Sequence, residues 1–349
     1  MIRGYTSAER IAAQGFILWQ YLLNAFITNP SKLGPFHDTL WNLNTKTHLL
    51  GWFLFSSIIL INILAIYYRK KNRLLSFAIL WFFGGHILES STISLEFYFE
   101  HRNYIPLFGP VLSLISYLLS LKKQRKIIHI ALASYIFLIS TITYQTTSLW
   151  GQKLLAAKIW SLENPDSVRA TLHLAKQLEE LHYSKEALKT LKQFNNKHDY
   201  SIGLQIQELI LSCRISPSTN HAKPLKKILL NAKEARYESW ASESPENLYE
   251  FLLKHECNNI DFNSVKLITN QMIKNKHYQS SSKSLHLLYT VLALIDLQYD
   301  TPKNALINFD TALTNHVTPD LLYYSIWVAK QQNDSNFIKK WSKSLEHNP

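Results

Sequence analysis

Residues 49–68 are an almost unbroken apolar stretch. About 20 residues at 1.5 Å of rise each are enough to cross a hydrocarbon core roughly 30 Å thick. A run of that length predicts a membrane-spanning helix, and it makes the chain an integral protein of an inner or plasma membrane. Three further stretches, near 74–91, 104–121 and 127–147, are shorter but close to the length a span requires. In the third, Pro106, Gly109 and Pro110 occupy the first turns.

Composition averaged over the chain hides this. A mean hydropathy of -0.09 and 47% hydrophobic residues over 349 positions resemble a water-soluble protein. The apolar runs, however, precede Trp150, and the residues after it are polar, Lys-rich and patterned with the helical period. The expected organisation is therefore all-α: an N-terminal segment over 1–47, about four spans over 48–149, and a helical repeat domain over 150–349.

The formal net charge of +12 raises nucleic acid as a partner. A nucleic-acid binder needs its basic residues on one folded surface, whereas much of the excess here falls in two short runs. These are Arg69, Lys70, Lys71 and Arg73, then Lys122, Lys123, Arg125 and Lys126, each between apolar stretches. Short basic loops mark the cytoplasmic side of a membrane protein. With both loops cytoplasmic, four spans alternate in direction, residues 92–103 are extracytoplasmic, and so is everything after about 148. Nucleic acid is excluded on this reading, and membrane lipid and protein partners take its place.

Residues 8–27 are apolar but interrupted by Glu9, Arg10, Gln14, Gln20 and Asn24, the pattern of an amphipathic helix at the membrane interface, with a fifth span as the alternative. No compact apolar core with a small-residue cleavage site after it is present, so a signal peptide of the usual form is not expected. The loop over 28–48, with Pro30, Gly34, Pro35, His37 and Asp38, is expected to be extracytoplasmic. Cys213 and Cys257 bond only if their Cα atoms come within roughly 7 Å in an oxidising compartment. Sequence favours the plainer reading of two buried thiols on separate helices. No Cys/His spacing suits zinc and no Gly-rich loop cradles a phosphate, so no metal or cofactor is expected.

The densest group of chemically able side chains is His86, Glu89, Glu96, Glu100, His101, Arg102, Asn103 and Tyr104. His86 and Glu89 lie three apart and would share a helix face, and ionisable groups inside a span are costly unless they pair or line a polar cavity. Glu96 and Glu100 would lie one turn apart, unfavourable unless a cation such as Arg102 intervenes. One reading is a site at the membrane surface. The other is a structural network flanked by an interfacial aromatic belt of Phe97, Tyr98 and Phe99.

The segment Glu100-His101-Arg102-Asn103-Tyr104-Ile105-Pro106-Leu107-Phe108-Gly109 resembles a pattern Glu-x-x-x-Tyr-(Ile/Leu)-Pro-x-x-Gly. That pattern belongs to the multi-spanning, TPR-bearing glycosyltransferase-like membrane proteins of GT-C architecture, the eukaryotic transmembrane-and-TPR O-mannosyltransferases and their bacterial relatives. The opening Tyr5-Thr6-Ser7-Ala8-Glu9-Arg10 and the later Phe36-His37-Asp38 resemble the segment before the late spans of the bacterial members. The resemblance implies motif positions Glu100, Tyr104, Pro106 and Gly109. It also exposes a departure, because members carry their catalytic acids in the first extracytoplasmic loop of an N-terminal block of spans, and this sequence looks like the C-terminal half alone. The expectation is a subunit or remnant that binds partners or acceptors, with a separate catalytic subunit transferring sugar from a polyprenyl-phosphate donor to an acceptor hydroxyl. In that reaction Glu100 would serve as an accessory base or a metal-orienting group, with His101 and Arg102 contacting the lipid-linked phosphate. The alternative is a non-catalytic membrane-anchored scaffold for envelope proteins.

After residue 150 the apolar positions recur at three and four in segments of 10–15 residues, which predicts stacked helical hairpins. Residues 161–194 and 285–313 fit TPR-like units, the second with Ala293 on one helix and Ala305, Phe309 and Ala312 on the other. Pro217, Pro224 and Pro245 mark helix boundaries between them. About four or five hairpins would stack into a solenoid whose concave face binds protein. Tyr323, Tyr324 and Trp327 read as a core or capping stripe.

Overall fold

A computed structural model describes residues 7–27, 34–37, 45–88, 90–91, 97–299 and 301–345. Their regular structure is helical, with no strand among them beyond an isolated bridge between Cys257 and Ile260. The chain divides into two compact units, residues 5–177 and 178–349. The division falls later than the composition shift at Trp150.

The first unit contains α1 (Ser7–Phe26), α2 (Thr45–Tyr68), α3 (Arg73–Gly85), α4 (Tyr104–Ser120), α5 (Arg125–Trp150), α6 (Lys153–Glu163) and most of α7 (Val168–Glu180). Among the described residues, three helical stretches are long and apolar enough to cross a membrane: 22 residues ending with α2, 21 ending with α4 and 29 ending with α5. Their surfaces fit that solvent. In α5 only Ile128 is buried, while Ile127, Ile130, Ile136 and Phe137 stand exposed on several sides of the helix. A helix apolar all round and unburied by protein is stable only where lipid covers it.

The second expected span is shorter than the sequence suggests. Helix α3 runs for 13 residues, about 20 Å, and then breaks after Gly84 and Gly85 into a turn at His86–Leu88. It packs antiparallel to α4: the Ser113 hydroxyl donates to the Leu74 carbonyl at 3.0 Å, the Trp81 indole N–H donates to the Ile105 carbonyl at 2.9 Å, and Gly85 backs onto Pro106. Low numbers on α3 therefore face high numbers on α4. As a result the two basic clusters, one before α3 and one after α4, sit at the same end of this hairpin, opposite the segment 97–104.

Helix α1 crosses α2 where two glycines meet. A Cβ on Gly15 would lie 2.9 Å from the Phe55 amide nitrogen and closer still to the Gly51 carbonyl oxygen. Small residues at a crossing let backbones approach within van der Waals contact, the main attraction available between helices in lipid. The face of α1 whose polar residues suggest the membrane interface is turned into protein: Arg10 and Gln14 are buried, and the core beside them is Ala13, Ile17, Leu18 and Tyr21 packed with Ile58, Phe82, Phe83, Phe97 and Tyr98.

In the second unit the helices are α8 (Ser184–Lys197), α9 (Ile202–Ile215), α10 (Ala222–Ala232), α11 (Ser244–Lys254), α12 (Phe262–Lys274), the short α13 (Lys276–Gln279), α14 (Ser282–Gln298), α15 (Pro302–Asn315), α16 (Pro319–Gln331) and α17 (Ser335–Leu345). Their starts are written locally. Ser201 and Ser281 accept the first free amides of α9 and α14, Asp261 and Ser264 form a reciprocal capping box on α12, and prolines open α11, α15 and α16. One core joins α9 to α12 and α14, and a second joins α14 to α17. Ala293, Ala305, Phe309 and Ala312 are all fully buried between α14 and its neighbours, where the small side chains let the helices pack closely.

Two expectations are corrected in this unit. Cys213, on α9, and Cys257, in the turn between α11 and α12, are disulfide-bonded, with Cα atoms 5.3 Å apart. The turn folds back onto α9, a contact 44 residues away in sequence that no local pattern reveals. Tyr323, Tyr324 and Trp327 are not core. They are 55%, 41% and 57% exposed, because α16 turns Leu321, Leu322, Ser325, Ile326, Val328 and Ala329 inward and leaves the aromatics on its opposite face.

Candidate functional site at the polar end of the membrane unit

The polar residues that interrupt α1 fall on one face. Arg10, Gln14, Tyr21 and Asn24 are spaced by four, seven and three, the recurrence of a helical stripe. They meet the segment that leaves α3 and enters α4. The Arg10 guanidinium donates to the Ser91 carbonyl at 2.9 Å and lies 5.3 Å from the centre of the Phe97 ring. Gln14 accepts from the Ser90 hydroxyl at 3.3 Å, and the Asn24 amide donates to the Tyr98 hydroxyl at 3.1 Å. Tyr21 does two jobs. Its hydroxyl accepts from the Phe99 amide at 2.8 Å and sits 3.0 Å from the Phe99 carbonyl, while its ring stacks on Tyr98 at 4.4 Å and on His86 at 5.0 Å.

His86 is buried at the break after α3. Its Nε2 lies 3.2 Å from the Asn103 side-chain oxygen, and the Asn103 amide donates to the Tyr21 carbonyl at 3.1 Å. A buried imidazole held by one amide and two aromatic rings is fully occupied by the fold. Sequence spacing pairs His86 with Glu89 and sets Glu96 against Glu100. Glu89 and Glu96 lie outside the described residues, and the partner found for His86 is Asn103, brought in from the turn that opens α4.

The remaining candidates sit nearer the surface. Glu100 opens the 3₁₀ turn Glu100–Asn103 that leads into α4, and its carboxylate is 3.2 Å from His37 Nε2. His37 is mostly enclosed, at 13% side-chain exposure, and Glu100 is open at 42%. The His37 ring also meets the Tyr98 ring edge-on at 4.6 Å. Burial raises the Tyr98 phenol above its ordinary pKa, so it stays neutral beside this pair. His101 stacks on Phe99 at 5.1 Å, and the Arg102 guanidinium lies over the same ring at 4.9 Å. His101 is exposed and Arg102 half-buried, which puts two basic groups around one aromatic face.

The motif positions divide between surface and packing. Tyr104 is 75% exposed. Pro106 fills the space above Gly85, and a Cβ on Gly109 would lie 2.7 Å from the Trp81 Cβ and 2.9 Å from its ring. Pro106 and Gly109 therefore set the approach of α4 to α3, and through it the placing of Glu100 and Asn103.

Next to this site, Phe36 packs against Trp160 of α6 at 5.9 Å and His173 of α7 at 5.6 Å, with Arg169 over its ring. The segment 34–37 thus links the end of α5 to the His37–Glu100 pair. Sequence reasoning leaves His37 and Tyr21 out of the candidate set, and it places Asn103 in the polar cluster without a role. The stripe on α1 is the available signal for Tyr21; nothing local announces His37 as the partner of Glu100. Comparison with known protein families, curated proteins and solved structures finds no match to this chain.

Proposed function

We propose that these residues form a membrane-anchored binding subunit. The spans hold a TPR-like helical half on the extracytoplasmic face, where it binds protein partners or acceptors. The assembly is related to the O-glycosyltransferases that use a lipid-linked sugar, and its catalytic acids come from outside these residues. The observation that carries the reading is the bond between Cys213 and Cys257, since disulfides persist in oxidising compartments. It agrees with an independent argument from charge. Both basic clusters lie at one end of the α3–α4 hairpin, cytoplasmic loops collect Lys and Arg, and α5 leads from that end to the opposite face. The exposed aromatics of α16 supply a binding surface, because Tyr and Trp are enriched where proteins meet.

One observation favours a second reading, in which this chain itself performs acid–base chemistry. Among the described residues, the Glu100–His37 pair couples a carboxylate to an imidazole at an open rim. In transfer to an acceptor hydroxyl, such a pair accepts the hydroxyl proton, and His101 and Arg102 are the candidate contacts for a leaving phosphate. The experiment that separates the readings uses membranes containing this chain, a polyprenyl-phosphate sugar donor and a protein acceptor. The binding-subunit reading expects no transfer without a catalytic partner. Transfer by this chain alone, abolished by Glu100→Ala, overturns it and makes the polar end catalytic.

A further inference from the structure

A groove of about 730 Å³ runs between α3 and α4 and is also lined by Leu22 of α1. That volume lies within the range of small-molecule sites. Its walls are apolar, formed by Leu75, Ile79 and Phe83 on one side and Pro110 and Leu114 on the other. At one end the lining changes character to Lys71, Asn72 and Arg73, with Tyr117 opposite. The cations are exposed, and among the described residues no carboxylate pairs with either of them. The groove is therefore an apolar slot ending in unneutralised positive charge, at the level where the spans leave the hydrocarbon.

We propose that this groove binds an anionic glycerophospholipid of the leaflet that the basic loops face, with an acyl chain along α3 and α4 and its phosphate between Lys71 and Arg73. The charge decides the occupant. A zwitterionic or neutral lipid would fill the apolar walls equally well but would leave the two cations without a counter-charge, whereas basic pockets between spans select anionic headgroups. Arginine adds a planar pair of donors suited to phosphate oxygens, and the Asn72 and Tyr117 side chains place further hydrogen-bonding groups beside it. The shortness of α3 contributes as well. At about 20 Å it does not reach through the bilayer, so the slot it borders opens toward one leaflet.

The test is lipid titration of the detergent-solubilised full chain, read by native mass spectrometry with phosphatidylglycerol and phosphatidylcholine as probes. One phosphatidylglycerol is expected to bind in preference to phosphatidylcholine. Lys71→Gln with Arg73→Gln should weaken phosphatidylglycerol by roughly 30-fold, the effect of two interfacial cations, and leave phosphatidylcholine unchanged. Lys122→Gln with Lys123→Gln changes the same amount of charge at the same end and should cost much less. Ala78→Phe, which projects into the slot, should lower retention of both lipids. Glycerol phosphate without an acyl chain should not compete. Equal binding of the two lipids by the intact chain, equal losses in the two charge variants, or full competition by glycerol phosphate would each overturn the proposal. The charge variants alter exposed side chains only, and an unchanged melting profile verifies that they remain folded.

Discussion

The contact of α1 with α2 yields the sharpest test of the membrane unit, because one chemical change, glycine to alanine within a helix, has opposite effects at two positions. At Gly15 the new methyl would lie 2.9 Å from the Phe55 nitrogen and 3.2 Å from the Gly51 carbonyl carbon, with the carbonyl oxygen nearer still. Relaxed contacts between heavy atoms need about 3.5–4.0 Å. Every atom in the way belongs to the α2 backbone, so no rotamer change relieves the clash, and the helices must separate by about 1 Å. Overpacking of this kind costs about 1–3 kcal/mol, and the backbone obstacle places this case at the upper end. Alanine's better helix propensity returns about 1 kcal/mol, which leaves a net loss of about 2 kcal/mol. At Gly84 a methyl meets nothing within 4 Å, and only the propensity gain remains, reduced to about 0.5 kcal/mol so near the end of α3.

The assay is thermal unfolding of the full chain in detergent, monitored through the transition of the membrane unit. At about 2–4 °C per kcal/mol for a unit of this size, Gly15→Ala should lower the midpoint by about 4–8 °C and Gly84→Ala should raise it by about 1–2 °C. Gly51→Ala, whose methyl would press on the Ala12 carbonyl, should behave like Gly15→Ala. Equal midpoints for Gly15→Ala and Gly84→Ala would refute the close crossing and, with it, the burial of the polar stripe on α1.

Replacing both Cys213 and Cys257 by serine removes a cross-link across 44 residues, for which chain entropy gives a loss of about 4 kcal/mol in the second unit; thermal melting measures it, and a loss below about 1 kcal/mol would show the thiols to be unbonded. His286 offers a pH test. It is buried with Nδ1 3.1 Å from the Ala312 carbonyl, and burial lowers its pKa below the ordinary 6.5. The unfolded chain therefore binds the proton more readily, so stability is full above about pH 6.5 and falls as pH drops from there through the folded pKa. His286→Asn, which keeps a donor for Ala312, should flatten the decline in melting temperature between pH 7 and 5.5; a slope identical to that of the unsubstituted chain would count against a buried neutral imidazole.

How much of the fold is legible in the sequence depends on the range of the forces involved. The apolar runs behind α2, α4 and α5 are local, and length against bilayer thickness identifies all three. The sequence overstates α3 because composition continues apolar through Ile87 and Leu88, whereas the helix ends at paired glycines where His86 turns inward to Asn103. Helix starts in the second unit are marked by Pro245, Pro302, Pro319 and the Ser and Asp caps, all written in adjacent residues. Contacts such as Arg10 with Ser91, 81 positions apart, or Cys213 with Cys257 depend on how whole helices meet, and no periodicity within one element carries that information. The α16 aromatics illustrate a subtler failure. Aromatic residues at helical spacing suggest a core, but two leucines and the Ser325-Ile326 and Val328-Ala329 pairs define the buried face, and it is the other one.

The polar end of the membrane unit can be divided by what each group is already bonded to, and that division determines where function can reside. His86, Asn103 and Tyr21 satisfy one another between α1, α3 and α4, so replacing any of them leaves a buried polar partner unmatched and disturbs the fold before any chemistry. Arg10, held on the Ser91 carbonyl and the Phe97 ring, belongs with them. Glu100, His37, His101 and Arg102 stand at the rim, on a turn whose position Pro106 and Gly109 secure by fitting against Gly85 and Trp81. A rim fastened to a buried network holds a few polar groups at fixed spacing, which is what the proposed binding of a partner or acceptor would require. It follows that variants of the network should lower stability and any partner-dependent activity together. Variants of the rim should leave melting unchanged and alter only the function, and a fall in melting temperature for Glu100→Ala as large as that for His86→Ala would erase the distinction.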